Sequence, residues 1–193
     1  MKFLIILFLL VNSVFGVSIN NSLLKIHATL IPKICLMDYA HKEKIKNNEI
    51  VIAIVYNQIN YKSAKNLKNI IDTKYVSGIK SYVLKTKLVL YSRVDKSDAN
   101  IYYMLPTTSY NIKKTIEKAS QSNALTFAYL QSDLKYGVML SVDIGSKVKP
   151  ILNLNAIKLQ NISFRPILLK ISNIYLKISF NFLDKIQYIK VVV

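Results

Sequence analysis

The sequence predicts an α/β domain: one helix-covered sheet, mixed but largely parallel, with a C-terminal antiparallel hairpin and an amphipathic helix. Three observations carry that expectation. Segments of helical period alternate with strand-like runs as far as Gln131, the pattern of a sheet covered by helices. The run EIVIAIVY, Glu49 to Tyr56, is continuously apolar and rich in isoleucine and valine, which suits a strand buried on both faces. Further on, YGVMLSVDIGSKVKPILNLN reads as two alternating runs around a glycine, the signature of a hairpin.

Taken in order, the chain opens with MKFLIILFLLVNSVFGVS. A charge at Lys2, an apolar run from Phe3 to Val11, a polar break and then Val14-Phe15-Gly16 have the layout of a secretory signal peptide over residues 1–16. That run covers about 14 Å of helix, short of a bilayer core of about 30 Å, so a membrane span is not expected. An uncleaved anchor stays an alternative. Cleavage after Gly16 leaves residues 17–193, enough for one core-bearing domain. The protein is expected to be exported.

Leu23, Ile26, Leu30, Ile34 and Met37 recur at steps of three and four, predicting a first helix that Pro32 kinks or breaks. HKEKIKNNE then reads as a solvated loop ahead of EIVIAIVY. Ser63 is expected to cap a second helix, Ala64 to Ile71, with Leu67 and Ile71 on one face. SYVLKTKLVLYSRV has strand alternation, expected to break near Lys85–Lys87. ANIYYMLPTT is a strand ended by Pro106, and Ser109 caps a third helix whose Ile112, Ile116 and Ala119 share a face. ALTFAYLQ supplies another strand.

In the hairpin the apolar pattern selects a three-residue loop, Gly145-Ser146-Lys147. It pairs Ile144 with Val148 and Leu140 with Leu152, whereas a two-residue loop mixes apolar and charged faces. Pro150 lacks a donor and is expected at an edge. Asn155 is expected to cap a short helix, Ala156 to Gln160, which a left-handed Asn161 stops. Ser163 caps the next helix, with Pro166 in its first turn and Ile167, Leu168, Ile171 and Ile174 as its buried stripe. In the tail, Leu176 to Val193, alternating Leu176, Ile178, Phe180 and Phe182 predict an added strand. No linker, internal repeat or low-complexity stretch divides the chain.

Lysine and arginine total 27 against 10 acids, a net charge of +17. Nucleic acid is nevertheless not an expected partner: only Arg93 and Arg165 are arginine, the residue suited to bidentate phosphate and guanine contacts, and the lysines are spread out. Weak contact with an anionic membrane surface, or with an acidic partner, stays open and would weaken with salt. Cys35 is the only cysteine, so there is no internal disulfide, and a buried apolar role is its expected fate.

The first helix, VIAIVY, ANIYYMLP, the turn glycine before the hairpin, and then LNLNAIKLQNISFRPILLKI together resemble the YfiR family. The matching residues are Leu152-Asn153-Leu154, Ala156, Lys158, Asn161-Ile162-Ser163 and Leu168-Leu169, within a similarity running over about residues 22–175. Asn161 stands where that family commonly has glycine, and the disulfide cysteines of some members are absent. The resemblance implies a YfiR-like α/β domain over residues 17–175, followed by the extension over 176–193. It also implies a periplasmic regulator that represses the sensor domain of an inner-membrane signalling protein, such as a diguanylate cyclase or a sensor kinase, and so controls cyclic di-GMP. A homodimer stays open.

Catalytic chemistry is sparse. His27 and His41 form no metal-ligand pair of the H-E-x-x-H kind. Cys35, Asp38 and His41 fall at steps of three, which admits a nucleophile, an acid and a base. The preferred reading is a helix C-terminus with a packed cysteine, a solvent carboxylate and a histidine suited to the dipole. No phosphate-binding glycine motif or G-x-S-x-G occurs. Tyr102, Tyr103 and Tyr136 are expected half-buried with wet hydroxyls, and Asn153 is expected to tie down the turn after its strand. No residue is assigned a catalytic, cofactor-binding or metal-binding role, no cofactor is expected, and the protein is not expected to be an enzyme. The alternatives to a regulator are a small-solute-binding module, its ligand at the C-terminal ends of the strands, and a structural component of the envelope.

Overall fold

The computed structural model describes residues 18–176. The expected signal peptide and nearly all of the C-terminal extension lie outside the described residues. The helices are α1 (Asn21–Cys35), α2 (His41–Lys44), α3 (Tyr61–Lys74), α4 (Ser109–Ser120), α5 (Leu154–Leu159) and α6 (Pro166–Ile171). The strands are β1 (Glu49–Tyr56), β2 (Val83–Leu90), β3 (Ile101–Met104), β4 (Leu125–Ala128), β5 (Leu140–Ile144), β6 (Val148–Asn153) and β7 (Asn173–Tyr175). They form one sheet in the order β2-β1-β3-β4-β5-β6-β7. The run from β2 to β5 is parallel, β5 and β6 are antiparallel, and β7 lies parallel to β6. This is a mixed, largely parallel α/β domain with a hairpin, as the alternation of segments predicts.

Apolar side chains of the central strands point both ways, so the sheet has two cores. Ile50, Ile52, Ile54, Tyr103 and Phe127 pack with α1 and α3 on one face. Ala53, Val55, Tyr102, Met104 and Ala128 pack with Ile112 and Ala119 of α4 on the other. EIVIAIVY is β1, flanked by β2 and β3 and buried on both faces.

The hairpin has the predicted register, Leu140↔Leu152 through Ile144↔Val148. It is not an edge, however, since β7 pairs with β6 from Ile151 onward, one residue past Pro150. Asn161 is left-handed at φ 51, as expected.

Several local expectations are corrected. Pro32 does not break α1, which runs through it to Cys35. HKEK is a one-turn helix with His41 buried. Tyr61, four residues past a side-chain cap at Asn57 and a single 3₁₀ turn, begins α3, so Ser63 is interior. β2 passes unbroken through Lys85–Lys87 because it is an edge strand, where lysine heads reach water. The caps at Ser109 and Asn155 belong instead to Thr108 and Asn153. Arg165, not Ser163, precedes α6, and of the expected stripe only Leu168 is buried within that helix, while Ile174 lies in β7.

Two crossovers that a doubly wound sheet usually makes with helices are here short 3₁₀ segments, Tyr91–Lys96 and Gln131–Tyr136. The link from β2 to β3, residues 91–100, is shorter than the dozen or so that a crossover helix takes. Tyr91 and Val94 still reach the core on the α4 face. Over β2 itself, this short link leaves Val83, Lys85 and Lys87 exposed.

Candidate functional site

Cys35, Asp38 and His41 do come together, but as a clasp. Asp38 is buried, not solvated: Lys44 Nζ lies 2.6 Å from its Oδ2, and the Ala40 N–H donates to its Oδ1 at 3.0 Å. His41 begins α2 instead of sitting at the end of α1, and its Nδ1 lies 2.6 Å from the Asp38 carbonyl. Around them, Tyr39 N–H donates to Ser163 O and Arg165 N–H to Met37 O, tying the end of α1 to the α5–α6 connection. The cleft the three share holds about 10 Å³, room for no more than one water. Burial, reinforced by Asp38, pushes the Cys35 thiol up to about 12, so it keeps its proton at neutral pH.

His27 faces the other way, into the α1 core. Its Nδ1 lies 2.6 Å from the Tyr103 hydroxyl, and its ring meets Tyr103, Phe127 and Tyr129 edge-on. Burial lowers it to about 3, so it is neutral. Tyr102 and Tyr103 are fully buried, contrary to expectation, with Tyr102 donating to Ser97 O at 2.8 Å. Tyr136 is half-buried under Lys135. Asn153 ties down its turn as predicted: its Oδ1 accepts from Ala156 N–H, and its Nδ2 donates to Leu134 O. Among the described residues, no three histidine, cysteine, aspartate or glutamate side chains gather as metal ligands.

At the sheet's topological switch point, outside the C-terminal ends of β1 and β3, a doubly wound fold offers a crevice. Here Asn57 and Asn60 both donate to the Pro106 carbonyl across it, at 3.4 and 3.0 Å.

The open, charged feature lies beside β2. A groove of about 660 Å³ runs between the exposed face of β2 and the 3₁₀ crossover, lined by Tyr56, Lys87, Val89, Arg93, Lys96 and Asp98 among others. It exists because the crossover is too short to roof the edge strand. The acids nearest the groove, including Asp98 in its own lining, are paired with other lysines. Asp95 pairs with Lys114 of α4 at 2.6 Å and Asp98 with Lys118 at 3.0 Å, while Lys85 pairs with Glu49 at 2.5 Å. Among the described residues Lys87, Arg93 and Lys96 are exposed and have neither an ion pair nor a side-chain hydrogen bond. Reading the lysines as evenly spread hid this patch. The signal was present in KTKLVLYSRVDK, where one strand face and one short link each carry cations.

The strand order and the helices on both faces define a doubly wound α/β domain. No family model matches the chain, and no curated protein matches it in sequence. Solved structures share the fold. One is a conserved domain protein from Vibrio cholerae O1 biovar El Tor, with a TM-score of 0.56 and 16% identity over 78% of this chain. Another is an ABC domain from Streptococcus pneumonia in complex with L-Trp, with a TM-score of 0.53 and 10% identity over 78% of this chain. The chain spans 59% of the length of each. At such identities the likeness is one of fold.

Proposed function

We propose that this protein is a periplasmic regulator that works by gripping another protein, the sensor domain of an inner-membrane signalling protein such as a diguanylate cyclase. The observation that carries the reading is the basic groove: three exposed cations without acidic partners, on an edge strand left unroofed. The residues that resemble the YfiR family supply the choice of partner. Repression asks only that the protein bind the inactive conformer more tightly, and a tenfold preference corresponds to about 1.4 kcal/mol. The test is capture by the tagged mature protein from detergent-solubilised inner membranes, with cyclic di-GMP measured in a deletion strain. The reading expects a membrane protein with a periplasmic domain and a signalling output domain, and a raised cyclic di-GMP level on deletion. No such protein in the eluate, together with an unchanged nucleotide level, overturns it.

A small-solute-binding module is the second reading, favoured by the likeness to a domain solved with L-Trp. Its ligand would lie at the switch point, where Asn57 and Asn60 would have to exchange Pro106 for the solute. Calorimetric titration with L-Trp and other amino acids tests this: saturable heat that Asn57→Ala abolishes supports it, and its absence removes it.

A further inference from the structure

Among the described residues β2 is paired only on its β1 side, so along its other edge the backbone has no strand partner there. Lys68 reaches one group there, the Thr86 carbonyl, at 3.3 Å. The two faces of β2 differ in chemistry. Lys85 and Lys87 stand exposed on the groove face, while Leu84 and Leu88 are only half-buried on the α3 face. A strand laid against this edge would therefore meet cations with its alternate side chains on one face and aliphatic carbons on the other.

Resting on the reading of the protein as one that grips another protein, we propose that the free edge of β2 takes an extended segment of its partner as an eighth strand. That segment alternates acidic and apolar residues. Its carboxylates meet Lys87, Arg93 and Lys96, and its apolar side chains cover Leu84 and Leu88. Lysines on an edge strand ordinarily discourage pairing. Here they discourage the wrong pairing: a second copy of a chain with net charge +17 is repelled, and an acidic strand is not. Arg93 and Lys96 come from the crossover, not from the strand, so edge protection does not account for them. Main-chain bonds then supply affinity and the cations supply selectivity, the division of labour found in β-strand addition.

The test uses the full mature chain and three fluorescent probes: a ten-residue peptide alternating valine and glutamate, the same peptide N-methylated on alternate residues, and a valine-lysine peptide. Inorganic phosphate serves as a competitor. Saturable binding of the first probe is expected, weakening at least tenfold between 0.05 and 0.5 M salt. A loss of at least tenfold is expected with N-methylation and with the triple variant K87E/R93E/K96E, and no binding of the lysine peptide. Equal binding of the N-methylated peptide, or full displacement by millimolar phosphate, reduces the site to an anion hollow and overturns strand addition. Equal binding by the triple variant, its unfolding curve unchanged, overturns the role of the groove. These outcomes are separate from the membrane capture, whose failure would remove the regulator reading itself.

Discussion

The clasp beneath α1 and the groove beside β2 are built from the same residue types and come to opposite ends. In the clasp Lys44 finds Asp38 at 2.6 Å, the carboxylate is buried, and about 10 Å³ of space remains. In the groove Lys87, Arg93 and Lys96 stand exposed around about 660 Å³, with nearby acids turned toward α4. The difference teaches where to look for function. Charges that satisfy one another hold the chain in shape, while charges left over on a rigid edge are free to meet a partner.

The clasp should respond to substitution through stability. Asp38→Ala strands Lys44 and removes the acceptor for the Ala40 N–H. Breaking a buried pair costs about 3–5 kcal/mol; since Lys44 keeps some water contact, about 2–3 kcal/mol is expected here. Chemical denaturation measures it, and a loss below about 0.5 kcal/mol, the range of an ordinary surface change, would make the clasp ornamental.

The pH response of the core is of the same order as the clasp. His27 takes up a proton near 6.5 when unfolded but only near 3 in the fold. Between those values the unfolded chain binds more protons, so stability falls as pH falls, by at most about 1.4 kcal/mol per pH unit. Asp133, raised from 3.8 to about 6 chiefly by burial, acts oppositely: the fold binds more protons there, so stability falls as pH rises between 3.8 and 6. The two slopes offset each other in the native chain. Asp133→Asn should expose the His27 slope between pH 4 and 6, read by urea unfolding at several pH values. A flat profile in that variant would contradict the buried, neutral imidazole.

The groove should barely register in stability. K87E/R93E/K96E is expected to shift unfolding by less than about 0.5 kcal/mol, as exposed substitutions do. A larger loss would show that these cations have structural partners and would dissolve the contrast with the clasp. Smallest of all, Asn161→Gly should gain about 0.5 kcal/mol or less, since a left-handed position at φ 51 favours glycine over asparagine only slightly. A loss would mean that the Asn161 side chain matters to the turn.

Much of this architecture was legible in local chemistry. β1 announced itself by a run that no amphipathic helix could use, and the hairpin register followed from keeping Leu140 opposite Leu152. Caps slipped by a residue or two because neighbouring Thr108 and Ser109, or Asn153 and Asn155, are equally able acceptors, and only tertiary placement chooses between them. Lys85–Lys87 looked like a break because a strand's tolerance for lysine depends on whether it lies at an edge, which is a property of strand order. α6 looked amphipathic, yet it docks through Leu168 alone, with Ile167 and Ile171 left outside. The groove was the least visible feature. It depends on the crossover from β2 to β3 being too short for a helix and on Asp95 and Asp98 turning toward Lys114 and Lys118, neither of which any single stretch reveals.

The central claim is that the unpaired cations beside β2 are the gripping surface. Its most direct test is side-by-side capture from solubilised inner membranes by the wild-type protein and by K87E/R93E/K96E at physiological salt. The account predicts that the wild type retains a periplasmic-domain partner and that the variant, folded to the same stability, recovers at least tenfold less. Equal recovery by both would contradict it.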